Sequence, residues 1–237
     1  MPGVFGAPVP RKEDGRLVSG RGRYVSDVER PRMLHVAFVR SLHAHARLSA
    51  IDGAAALAAP GVVAVATGAD ADFAPRRIRA RSALPSYVQT GQPILAWPEV
   101  RFAGEAVAAV VAGDRYAAED GAALFRMNAE PLPASVEVGS AGRGAPVVHP
   151  EAPDNVLLAR GFDSGDVPAA LAASAVVIER VFRTNRQAAA PLEGRGGVAE
   201  WSAADGKLTL WSSTQTPHYV HRLLAKILDL PAAHIRV

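Results

Sequence analysis

Residues 105–125, EAVAAVVAGDRYAAEDGAALF, change periodicity in the middle. Glu105 to Val111 is a nearly continuous apolar run, the pattern of a strand buried on both faces. After Gly113 the pattern becomes helical. Asp114 suits an N-cap, and Ala118, Ala122 and Phe125 fall on one face. With its flanks, Val100 through Val138 reads strand, helix, strand, so this part of the chain mixes helix and sheet.

Upstream, Met33 to Val39 reads as a strand. Asp52 to Ala59 reads as a short helical stretch stopped by Pro60-Gly61, and Val62 to Ala66 as a short buried strand. Residues 68–93 carry Gly, Pro, Asp and Arg and read as an irregular excursion. Arg11 to Tyr24 is polar and glycine-rich, the pattern of a surface arm. Downstream, residues 139–155 are the best linker candidate. Asp166 can cap a helix over Val167 to Ala173. Val176 to Arg183 reads as a strand, with Val176, Ile178 and Phe182 on one face beside Arg180.

Further on, Gly196–Trp201 and Lys207–Trp211 flank Ala204-Asp205-Gly206, a hairpin signal. Tyr219 to Leu230 is an amphipathic helix with Val220, Leu223, Leu224, Ile227 and Leu228 on one stripe. Thr216 and Pro217 suit its N-cap and first position, and Pro231 ends it. His234 to Val237 begins another strand. An end in mid-strand carries the expectation of a second domain cut short. No internal repeat is visible.

The 237 residues are 49% hydrophobic and 21% charged, a globular composition with room for a core. No apolar run approaches the roughly 20 residues needed to span a bilayer, and the N-terminus lacks the basic and apolar regions of a signal peptide. Cysteine is absent. That excludes disulfides, thiolate metal sites and a cysteine nucleophile within this chain, and a cytoplasmic location is the default expectation. The formal charge of +3 is carried almost wholly by arginine. The dense basic run Arg76, Arg77, Arg79 and Arg81 has no interleaved aromatics. It reads as a solvated loop or a contact to a partner protein, and no nucleic-acid partner is expected.

Motifs with their own chemistry are few. There is no P-loop, G-x-G-x-x-G or G-x-S-x-G. His43 and His45 could chelate a metal if both lay on a strand, but no third ligand is near in sequence, which favours a hydrogen-bonded structural pair. Pro191-Leu-Glu-Gly-Arg-Gly-Gly197 admits two readings. One is a Glu193–Arg195 pair beside a sharp turn. The other is a backbone that a ligand approaches closely, as glycine allows. In Ser212-Ser-Thr-Gln-Thr216 the hydroxyls suit capping. Gln215 is left over, a neutral amide at a strand end beside a helix start, well placed to donate to an electronegative ligand atom.

Several stretches together resemble the N-terminal portion of the molybdopterin-binding large subunit of the xanthine dehydrogenase/aldehyde oxidase family, in particular the branch with carbon monoxide dehydrogenase large subunits. They are Gly20-Arg-Gly-Arg-Tyr24, Met33-Leu-His-Val-Ala-Phe-Val-Arg-Ser41 with His43-Ala-His45-Ala-Arg47, and Pro60-Gly-Val-Val-Ala-Val65. Next come Val100-Arg-Phe-Ala-Gly-Glu-Ala-Val-Ala-Ala-Val-Val111, Glu130-Pro-Leu-Pro-Ala134 and Gly165-Asp166-Val167. The last are Pro191-Leu-Glu-Gly-Arg-Gly196, Leu208-Thr-Leu-Trp-Ser-Ser-Thr-Gln215 and Pro217-His218. Order and spacing, more than any single motif, make the match specific. Leu42 and Asn128-Ala129 depart from the family pattern.

The resemblance implies an α/β (α+β) fold, with an N-terminal arm at 1–14, an a/b hammerhead domain at 15–135, a linker at 136–153 and the opening of the molybdenum-cofactor domain at 154–237. It implies oxidative hydroxylation of an aldehyde, N-heterocycle or similar small substrate, or CO oxidation. The molybdenum would be held by molybdopterin, in its cytosine dinucleotide form, rather than by protein ligands. Electrons would leave through Fe–S and FAD partner subunits. Gln215 matches the family glutamine whose amide meets an oxygen of the cofactor. No catalytic residue is carried onto this chain; Glu193 matches a family position, but no catalytic role is carried onto it. The remainder of the subunit is the first expected partner, and the chain alone is expected to be inactive. The other reading is a non-catalytic partner-binding or assembly module left from a truncated or split gene.

Overall fold

A computed structural model describes residues 5–142 and 144–237. The first four residues of the expected arm and Arg143 of the expected linker lie outside it. In chain order the elements are α1 (Asp14–Val18), β1 (His35–Arg40), β2 (Ala46–Asp52), α2 (Ala54–Leu57), β3 (Val62–Thr67) and the two-residue strands β4 (Arg77–Ile78), β5 (Gln92–Pro93) and β6 (Glu99–Val100). There follow β7 (Ala106–Ala112), α3 (Arg115–Leu124), β8 (Arg126–Pro131), α4 (Val167–Ala173), β9 (Gly197–Ser202), β10 (Lys207–Ser212), α5 (Pro217–Leu228) and β11 (Ile235–Arg236). Contacts divide the chain into two compact units, one of residues 32–187 and one that joins 1–31 to 188–237.

In the 32–187 unit, β7 is the central strand of an antiparallel sheet ordered β1-β7-β3. Its two faces feed two cores. Ala108 and Val110 pack with Ala56 and Phe125, joined by Val39, Val62, Val65 and Ala122. Val107 packs with Ala46, Leu48, Ala96 and Val100. This double burial is the physical content of the apolar run at 105–111. α3 forms as expected: the Asp114 side chain accepts a hydrogen bond from Ala117 N at 2.9 Å, and Ala118 and Gly121 are the buried positions.

A second sheet, β6-β2-β8, was not read from the sequence at β2. The reason is a register shift between Leu48 and Ala50. It breaks the alternation that Ala46 and Leu48, both buried, begin. β3 differs from expectation in burial: it forms, but it is half open, with Val63 55% exposed. Residues 68–93 are irregular apart from the short β4–β5 pair. The 139–155 stretch belongs to this unit by its contacts. Arg101 Nε donates to Val148 O at 3.0 Å, and Val148 N donates to the Asn155 side chain at 2.9 Å.

α4 forms where expected, with the Asp166 carboxylate accepting from Ala169 N at 2.9 Å. The strand expected over Val176–Arg183 does not form. An isolated extended segment has no partner to complete a ladder, and Val176, Ile178, Val181 and Phe182 are all exposed.

In the other unit, β9 and β10 form the expected hairpin, and Gly206 takes a left-handed φ of 60° in its turn. β11 pairs parallel with β10, with α5 as the connection between them. α5 runs from Pro217 to Leu228, with Asp229 as its C-cap at φ 54° and Pro231 two residues further on. α1 is a single exposed turn within the polar arm.

Candidate functional site

Gln215 lies in the bend between β10 and α5. It is exposed, and its side chain makes no hydrogen bond to any described residue. Its neighbours are fixed. Ser213 N donates to Gly196 O at 3.1 Å, Thr214 N to Ser212 O at 2.9 Å, and Thr216 N to Thr214 Oγ1 at 3.1 Å. Thr216 occupies the N-cap of α5 but makes no side-chain capping bond, so the expected capping role of this hydroxyl is not realised.

In the 191–197 turn the first reading, an ion pair, is not realised. No Glu193–Arg195 ion pair forms among the described residues. Instead Glu193 Oε1 accepts from Val25 N at 3.0 Å. Glycine does permit close approach, but of chain to chain: a Cβ at Gly196 would lie 3.3 Å from Val25 Cγ1. The N-terminal segment is held further by Arg30, whose guanidinium sits 4.4 Å from the Trp211 ring centroid and 3.4 Å from Glu200. Tyr24, Val25, Glu193, Trp211, Thr214 and Pro217 are among the walls of a cavity of about 410 Å³ in this unit. Sequence reasoning missed the partnership of residues 23–30 with the 193–214 region. Nothing in local pattern signals a contact across 168 positions.

His45 uses both ring nitrogens, Nδ1 to Pro133 O at 2.7 Å and Nε2 to Glu99 Oε1 at 2.8 Å, as the structural reading expects. Arg101 Nη2 joins the same carboxylate at 3.5 Å. In the basic run, Arg76 and Arg77 donate to loop carbonyls at Asp72 and Ala74, each at 2.6 Å. Among the described residues no group of three His, Asp or Glu could hold a metal. No helix among the described residues is long and apolar enough to cross a membrane.

Comparison with known proteins specifies the family to which these mixed α/β units belong. Residues 19–133 match the family profile "Aldehyde oxidase and xanthine dehydrogenase, a/b hammerhead domain", and residues 148–237 match "Molybdopterin cofactor-binding domain". The nicotine 6-hydroxylase large subunit of Paenarthrobacter nicotinovorans is 40% identical over 99% of this chain and 29% of its own length. The carbon monoxide dehydrogenase large chain of Afipia carboxidovorans is 37% identical over 98% of this chain and 30% of its own. The crystal structure of quinoline 2-oxidoreductase from Pseudomonas putida 86 superposes with a TM-score of 0.86 at 39% identity, covering 96% of this chain and 29% of that one. The chain belongs to the xanthine dehydrogenase/aldehyde oxidase family and corresponds to the N-terminal portion of its molybdopterin-binding large subunits. It spans about 30% of the length of the curated relatives it matches.

Proposed function

We propose that this chain is the N-terminal part of a molybdenum hydroxylase large subunit, with the hammerhead at 15–135, a linker at 136–153 and the opening of the cofactor domain at 154–237. The observation that carries the reading is collinearity: 40% identity runs over 99% of this chain but only 29% of the relative. The complete assembly oxidises an aldehyde, an N-heterocycle or CO in the cytoplasm. Molybdenum–molybdopterin, in the cytosine dinucleotide form, supplies the two-electron redox chemistry when bound. Electrons leave to Fe–S and FAD subunits. Within this chain, Gln215 contributes a neutral amide donor to an oxygen of the cofactor. A donor fixed before charge develops stabilises it at no reorganisation cost.

The test is co-expression of this chain with a polypeptide that supplies the remaining length of the relatives and with Fe–S and FAD subunits. Molybdenum content and turnover are then measured on nicotine, quinoline, aldehydes and CO. The assembly should bind molybdenum and turn over one of these, while the chain alone does neither. Gln215→Ala should lower kcat by roughly 10²-fold, the size of loss seen when one preorganised donor is removed, with unchanged circular dichroism. Turnover by the isolated chain would overturn the proposal.

A further inference from the structure

Ser213 stands two residues before Gln215 and closes three hydrogen bonds onto one residue. Its hydroxyl accepts from Gly196 N at 2.8 Å and donates to Gly196 O at 3.2 Å. Its own N–H donates to Gly196 O at 3.1 Å. The last of these simply extends the β9–β10 ladder by one step beyond the Ser212–Gly197 pair. The two hydroxyl bonds are additional and need this side chain. Val25 is close by: a Cβ at Gly196 would lie 3.3 Å from its Cγ1, and its N–H donates to Glu193 Oε1. Beyond Gln215, Thr216 N is tied to Thr214 Oγ1. Both flanks of Gln215 are thus anchored while its amide alone is unspent.

We propose that Ser213 is a positioning residue: by locking the bend to Gly196 it presets the Gln215 amide for the cofactor oxygen. The inference rests on the reading of Gln215 given above. An amide on a loosely held loop would have to be ordered as it binds, and that ordering opposes the interaction. Ser213 removes most of the cost beforehand. Alanine at 213 deletes both hydroxyl bonds, and threonine keeps the hydroxyl and suits a strand end.

Two measurements test it. In the full 237-residue chain, Ser213→Ala should speed amide hydrogen exchange at Gly196 and at 214–216 by roughly tenfold, because the Gly196 N–H loses its acceptor and the bend loses both hydroxyl bonds. Amides of β7 should be unaffected, and Ser213→Thr should restore protection. Unchanged exchange in Ser213→Ala overturns the lock. In the assembled enzyme, Ser213→Ala should lower kcat at constant KM and shift the molybdenum(V) EPR signal toward that of Gln215→Ala, with Ser213→Thr again restoring both. In a Gln215→Ala background it should cause no further loss. An equal loss in both backgrounds overturns the positioning role and leaves Gln215 standing. Gln215→Ala with unchanged kcat and EPR overturns the Gln215 reading itself, and the positioning role with it.

Discussion

At the scale of single residues, the buried acid Glu105 shows how a carboxylate is kept inside a small core. It is 2% exposed, and its Oε2 accepts from Arg101 N at 2.6 Å, closing the turn that leads into β7. Burial pushes its carboxyl above the ordinary 4.5. The N–H groups and charge of Arg101 and the N–H of Phe102 pull the other way, and burial wins. The sign of the linkage follows. The folded state holds the proton more tightly than the unfolded state, so this group adds stability at low pH and loses it as pH rises above 4.5. Glu105→Gln removes the titration. The Tm difference between the natural protein and this variant should therefore move in favour of the natural protein as pH falls from 7 to 4. A difference that stays flat or moves the other way would show that the N–H bonds outweigh burial. In the sequence Glu105 was only the first residue of an apolar run. Its partner four positions away belongs to a turn that periodicity does not reveal.

At the scale of elements, the two long helices start with different chemistry. Asp114 accepts a bond from Ala117 N, so Asp114→Ala should cost about 1 kcal/mol, and a drop in Tm should report it. Thr216 holds the same position before α5 without a capping bond, because Pro217 sets the first turn and Thr216 faces Thr214 Oγ1 instead. Thr216→Ala should therefore cost only a few tenths of a kcal/mol, a contrast that paired thermal melts can resolve. Both helices were legible, as were β7 and the 197–212 hairpin, because each writes its own period or turn into contiguous residues. β2 was not, because its bulge between Leu48 and Ala50 breaks the period. Of the candidate site, the sequence singled out Gln215, an unexplained amide between two readable elements. The anchors Gly196, Glu193 and Val25 were hidden, because their contacts join distant parts of the chain.

At the scale of the whole molecule, local pattern and tertiary partner part company at 176–183. Val176, Ile178 and Phe182 alternate as a strand should, yet no strand forms, since a ladder needs a second chain segment. Phe182 is 89% exposed, and Val181 is 85%. A run of exposed apolar side chains on a chain that spans about 30% of its relatives fits a surface covered by the remaining length of the subunit. This extends the proposed function to a specific expectation. Phe182→Asp should leave the Tm of the isolated chain within about 2 °C, because an exposed substitution changes little in the folded chain. The same substitution should reduce co-purification with the complementary polypeptide at least tenfold, the ~1.4 kcal/mol or more lost when a charge enters an apolar interface. Undiminished co-purification by Phe182→Asp would place the joining surface elsewhere on the chain, while a large fall in Tm would mean that Phe182 packs within the isolated chain after all.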